Sequence, residues 1–148
     1  MKRQAFMILT TLSLLVILAA TSVYAQISNV LGVAKIPFEF SVGNKVLPAG
    51  EYTVSQMTQD TLVIRNVDFS ASDIVLTIPT RARTTPNESA LVFNRYGDQY
   101  FLSKVWTTGN DTGRELSKPP AEEELIRARS ALAKSASERQ IVSIPSHR

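Results

Sequence analysis

Between Val33 and Val42 apolar and polar residues alternate, with Ala34, Ile36, Phe38, Phe40 and Val42 on one side and Lys35, Pro37, Glu39 and Ser41 on the other. A strand turns successive side chains to opposite faces, so this period of two predicts a half-buried strand. Pro37 has no N–H to give to a ladder, which puts that point at a sheet edge or a bulge. Gly43-Asn44 then reverses the chain. Val46-Leu47-Pro48-Ala49-Gly50 reads as a second tight turn, Pro48 presetting φ and Gly50 supplying a permissive backbone. Tyr52 and Val54 resume the buried alternation, Leu62 and Ile64 stand opposite Val63 and Arg65, and Ile74, Leu76 and Ile78 give a further apolar face that Pro79 ends.

Ala90 to Tyr96 and Gln99 to Trp106 flank Gly97-Asp98, a two-residue connection suited to a primed turn, and predict a β-hairpin. Pairing across it sets Arg95 opposite Tyr100, Phe93 opposite Leu102 and Leu91 opposite Lys104. Val92, Phe101 and Val105 occupy the reverse face, so both faces carry apolar groups, as in a strand pair covered on both sides. Thr107 to Leu116 is polar and punctuated by Gly109 and Gly113, and reads as a loop. At Pro119-Pro120 the period changes. Glu122, Glu123 and Glu124 suit the positive end of a helix dipole, Arg127, Arg129 and Lys134 come later, and a helix over 121–136 follows. Its apolar stripe is thin, with Leu125, Ile126 and Leu132 the only large members, so it must dock on its own sheet or on a second protein. Residues 140–148 read as a short strand around Ile141 and Ile144 or as a loose tail.

The pattern therefore predicts a mainly β protein, an antiparallel β-sandwich or barrel with a C-terminal α-helix. The organisation is a β-rich domain over 26–106, a loop over 107–120, the helix over 121–136 and a tail over 137–148. The large apolar side chains concentrate between Val33 and Trp106, which predicts an independently folding β unit with a marginal C-terminal arm.

Residues 1–25 have a different character. Lys2 and Arg3 precede an apolar run from Ala5 to Ala20, and Val23-Tyr24-Ala25 places acceptable side chains before a cleavage point. We read this as a cleavable signal peptide cut between Ala25 and Gln26. The alternative, an uncleaved anchor, asks for roughly 20 apolar residues without a break, and the run is shorter. The expected location is secreted or periplasmic, with the membrane touched only through the signal peptide before cleavage. The chain has no cysteine, which excludes disulfides, thiolate metal sites and a lipid-modified cysteine. What remains after cleavage suits one domain.

The formal balance of 16 basic against 13 acidic residues includes Lys2 and Arg3. Once these leave with the leader the protein is close to neutral, which argues against a nucleic-acid partner. The nearest basic cluster is Arg81, Arg83 and Arg95, either a solvated rim or a polyanion site. The single histidine, His147, is next to the C-terminus, so neither a nucleophile–base pair nor a histidine zinc site can be assembled around it. Carboxylates at Glu39, Glu51, Asp60, Asp68, Asp73, Asp98 and Glu115 keep two-carboxylate glycoside chemistry open, although turn and surface roles account for them. Asn110-Asp111-Thr112 lacks the ligand spacing of a calcium loop. Tyr96, Tyr100, Phe101 and Trp106 are candidates for an aromatic platform. Packing is the simpler role for Phe101 and Trp106, and a cation–π contact with Arg95 for Tyr100.

The expected function is thus an exported noncatalytic structural or binding module that needs no cofactor or metal, with an envelope protein or glycan as partner. Arg81, Arg83, Arg95 and Tyr100 are its candidate binding residues. The alternative is a carboxylate-dependent envelope glycan hydrolase.

The run Ile36-Pro37-Phe38-Glu39-Phe40-Ser41-Val42-Gly43, continued by Leu47-Pro48-Ala49-Gly50-Glu51-Tyr52-Thr53-Val54, resembles an uncharacterised family of small exported bacterial β-rich proteins. Tyr100 to Trp106, Gly113-Arg114-Glu115-Leu116 and the Glu-rich helix resemble that family's C-terminal half. The resemblance implies a secreted β-rich domain and brings no activity or site residues with it.

Overall fold

A computed structural model of the chain describes residues 30–132 and 139–147. The expected leader with its Ala25–Gln26 junction, and residues 133–136 of the expected helix, lie outside the described residues. The chain forms β1 (Val30–Ile36), β2 (Phe40–Val42), β3 (Lys45–Leu47), β4 (Gly50–Thr58), β5 (Thr61–Asn66), β6 (Ser72–Arg81), β7 (Ser89–Tyr96), β8 (Gln99–Trp106), β9 (Thr112–Leu116), α1 (Pro120–Leu132) and β10 (Gln140–Ser146). Over the described residues it is mainly β, a sandwich-like fold with one helix towards the C-terminus, as the pattern predicts.

The strands run in the order β1-β4-β5-β6-β9-β8-β2-β3, with β7 beside β8 and β10 beside β7. Neighbours are antiparallel except β2 and β8, which meet in parallel at Ser41 and Phe101. The sheet bends over on itself. Phe40 of β2 packs edge-on against both Tyr52 of β4, at 5.1 Å, and Phe93 of β7, at 5.4 Å, and one core joins Ala34, Ile36, Leu47, Val54, Leu62, Ile64, Leu91, Leu102 and Leu116. The tight turn before β4 is tied by the Tyr52 hydroxyl, which donates to the Pro48 carbonyl at 2.7 Å.

Four expectations change. The strand over Val33–Val42 is two strands, broken after Ile36 where Pro37 ends the ladder, and the chain crosses there from β4 to β3 and β8 as partners. Ala34, Ile36, Phe40 and Val42 are all buried, so the alternation is real although its continuity is not. On β6 the face is reversed: Val75 and Thr77 are buried, and Ile74, Leu76 and Ile78 are 57, 73 and 59% exposed. The expected loop over 107–120 contains β9, which pairs with β6 and β8, and of the two readings of residues 140–148 the strand holds, β10 pairing with β7 from Gln140 to Ser146. The chain beyond Trp106 thus supplies two strands to the sheet. Finally, the hairpin sets Arg95 opposite Tyr100 and Phe93 opposite Leu102, but Leu91 opposite Val105 rather than Lys104. A bulge at Ser103 leaves one residue of β8 unpaired and shifts the register beyond it.

The hairpin turn has Gly97 at φ +67°, as the first central position of a II′ turn requires. Pro120 stands at the first position of α1, where a missing N–H costs nothing, and the Pro119 carbonyl accepts from both Glu122 N and Glu123 N. Leu125 and Ile126 are half-buried.

Candidate functional site

The three candidate arginines do not converge. Arg81 faces Thr112 on β9, beyond the Trp106 end of β8, whereas Arg95 faces Tyr100 at the other end; along the strands this is roughly 20 Å. Arg81 is exposed and paired with Asp111 at 3.3 Å. Arg83 is exposed in the following loop, and Arg95 Nε donates to the Gly97 carbonyl at 2.7 Å. Arg81 and Arg95 each answer a local group at opposite ends of the strands, so the sequence cluster is a cluster in number only.

Tyr100 lies flat against Phe38, with ring centroids 3.8 Å apart and planes 14° from parallel. Arg95 stands over the same ring at 5.3 Å. A ring engaged by an aromatic and a guanidinium serves the core and the strand pair, which argues against a free stacking platform. Tyr100 nevertheless lines a groove of about 270 Å³ at the hairpin turn, together with Glu39, Ser41, Asp98, Gln99 and Ala121. Two of the candidate carboxylates, Glu39 from the β1–β2 connection and Asp98 from the turn, therefore share one concavity. The sequence does not show this, because they are 59 positions apart and meet only through the parallel β2–β8 contact.

The remaining carboxylates are spread over the surface. Asp60 pairs with Arg114 at 3.8 Å, Glu115 with Lys104 at 3.6 Å and Glu123 with Arg127 at 3.7 Å. Asp68 sits in a turn whose backbone N donates to the Asn66 side chain at 2.8 Å. Among the described residues no three His, Cys, Asp or Glu side chains gather as a metal would need. The backbone of His147 is hydrogen-bonded to that of Val33.

Sequence reasoning missed one polar cluster. Glu122, in the first turn of α1, is 2% exposed, and its Oε1 accepts from Asn94 Nδ2 at 2.9 Å and from the Tyr96 hydroxyl at 3.0 Å. Asn94 and Tyr96 project from β7 on the face opposite Phe93, so α1 covers the hairpin's outer side. Arg129, two turns further along α1, stands over the Tyr96 ring at 5.7 Å. Burial pushes the Tyr96 hydroxyl up to about 12, and the hydrogen bond to Glu122 and its nearby charge act in the same direction. The available signal was Asn94, a polar residue that directly follows the apolar run Ala90-Leu91-Val92-Phe93 on a hairpin read as covered on both sides.

The fold and these sites define a mainly β, sandwich-like module in which α1 is tied down by a buried carboxylate. Comparison with protein-family models, with curated proteins and with solved structures finds no match.

Proposed function

We propose that this chain is an exported, noncatalytic structural or binding module, working in a secreted or periplasmic setting on an envelope protein or glycan. The observation that carries this reading is Glu122. It is the buried carboxylate among the described residues, and its Oε1 is given to Asn94 and Tyr96, which makes it a tie between helix and sheet rather than an acid or base facing solvent. The leader pattern over residues 1–25, and the resemblance to small exported β-rich proteins, support the compartment. N-terminal sequencing of exported material is expected to begin at Gln26, and mature protein incubated with envelope glycan is expected to release no new reducing ends. A chain beginning at Met1 and held in the membrane would replace export with anchoring.

One observation favours the second reading, a carboxylate-dependent glycan hydrolase. Glu39 and Asp98 line the same groove, and two carboxyl groups across a cleft are the minimum that glycoside hydrolysis needs. If reducing ends do appear, and either Glu39→Gln or Asp98→Asn abolishes them while the protein still melts cooperatively, the second reading displaces the first.

A further inference from the structure

Outward from β6 stand Ile74, Leu76 and Ile78, each more than half exposed. Val63 of β5 lies beside Ile74, and Thr61 beside Leu76. An isolated exposed Leu is ordinary, but three large apolar residues in a row on one strand face form a patch. The row has a different charge at each end. On the β5 side Arg65 faces Ser72, its guanidinium 4.7 Å over the ring of Phe69. Phe69 is itself 73% exposed and held at φ 60°, a conformation that a bulky residue adopts only at a cost. On the β9 side Glu115 faces Ile78. Glu115 shares Lys104 at 3.6 Å, whereas Arg65 has no carboxylate within ion-pair reach among the described residues.

The placement of these charges is self-complementary. β5 and β9 flank β6 on opposite sides, and Arg65 and Glu115 lie at the levels of Ser72 and Ile78. Their midpoint falls on β6 at Val75, between Ile74 and Leu76. A two-fold axis through that point, lying in the plane of contact, sets Ile74 of each copy against Leu76 of the other and Arg65 of each against Glu115 of the other, with Ile78 coming over Ser72 beside the charge pair. A patch that is its own complement is the requirement for an isologous contact.

We propose that a second copy of this chain docks on the outward face of β6, giving a two-fold dimer centred between Ile74 and Leu76. The sheets stack face to face about 10 Å apart, and the two charge pairs, roughly 20 Å from end to end, set the angle at which they cross. The apolar row excludes water, while the charges select a second copy over a generic apolar partner. The patch is narrow against the ~800 Å² per partner of a standard interface, so the dimer dissociates on dilution.

Sedimentation velocity of the mature chain over a wide concentration range tests this, and a reversible monomer–dimer equilibrium is expected. Leu76→Asp, at an exposed position, leaves the thermal melt intact and the protein monomeric throughout. Arg65→Glu and Glu115→Arg each weaken association about tenfold or more when alone, because like charges then meet at both ends. Mixed in equal amounts the two variants associate again, since each brings the charge the other lacks. Should Glu115→Arg disturb the fold beside Lys104, Glu115→Gln together with Arg65→Gln gives a neutral control that weakens the dimer without repulsion. A chain that stays monomeric at the highest concentration, a dimer indifferent to Leu76→Asp, or a mixture no better than its components overturns the proposal.

Discussion

Val33 and His147 exchange a reciprocal pair of backbone hydrogen bonds, 2.7 Å from Val33 N to His147 O and 2.9 Å in return. The residue that follows β10 is thereby fastened to β1. In an antiparallel ladder the next such pair lies two residues on, and there Pro145 has no N–H to offer Lys35, so the β1–β10 seam is limited to this one bridge. Along its other edge β10 follows β7 from Gln140 opposite Arg95 to Ser146 opposite Ser89.

From this we predict that β10 is integral. Val142 and Ile144 pack on the core opposite Phe93 and Leu91. Burying such a side chain fully is worth roughly 1.5–3 kcal/mol, and these two are half-buried. With the ladder bonds included, a chain ending at residue 138 should lose ~3 kcal/mol, a fall in Tm of about 10 °C or more. An unchanged melt would show that β10 is accessory.

Trp106 gives an independent probe, because it is the only tryptophan in the chain. A Cβ placed on Gly113 would lie within 3 Å of three atoms of its ring, so Gly113→Ala must push the indole off β9. The expected cost is about 1–3 kcal/mol, as for other overpacked sites, together with a change in tryptophan emission. Stability and emission both equal to wild type would mean that the ring does not lie on Gly113.

At the hairpin groove the prediction separates packing from binding. Tyr100→Phe keeps the stack on Phe38 and the face offered to Arg95, and should alter stability by less than about 0.5 kcal/mol. Tyr100→Ala removes both and should cost ~1–3 kcal/mol. Denaturant melts of the two variants decide this, and a large loss in the phenylalanine variant would assign the hydroxyl a role that its ring contacts do not.

Much of the fold is legible because strand alternation and turn chemistry are local. The Gly97-Asp98 hairpin, the Tyr52–Val54 and Leu62–Ile64 faces and the start of α1 all follow from residues within a few positions of each other. What fails depends on partners distant in sequence. On β6 the larger residues suggested the inner face, but the sheet puts Val75 and Thr77 inside, and a shift of one residue inverts every side chain on a strand. β9 carries a single large buried residue, Leu116, too little to produce a period. The Arg81, Arg83 and Arg95 grouping dissolves because the ends of β6 and β7 in question lie at opposite ends of the sheet. Glu122 looked like one of three equivalent helix-start acids. Only its docking against Asn94 and Tyr96 distinguishes it from Glu123 and Glu124.

That docking yields a pH-dependent prediction. Tyr96 is held protonated by burial and by the Glu122 carboxylate, with its hydroxyl raised from 10.0 to about 12. An acid whose folded pKa lies above its unfolded one stabilises the fold fully at pH below the unfolded value, and that contribution is lost as pH rises from about 10 through 12. Alkaline melts should therefore fall in that window, and absorbance titration should contain a late step near pH 12 that belongs to Tyr96. Tyr96→Phe removes the late titration and flattens the fall. It also leaves Glu122 with Asn94 alone, at a cost of about 1–3 kcal/mol near neutral pH. Glu122→Ala goes further, since it strands the Asn94 amide and the Tyr96 hydroxyl beneath α1, and should be the more damaging of the two. Glu122→Gln retains a carbonyl acceptor and should fall between Glu122→Ala and wild type. If Glu122→Ala melts like wild type, the carboxylate does not hold the helix. The reading of this buried acid as a structural tie would then give way to one in which it is free to act on a ligand.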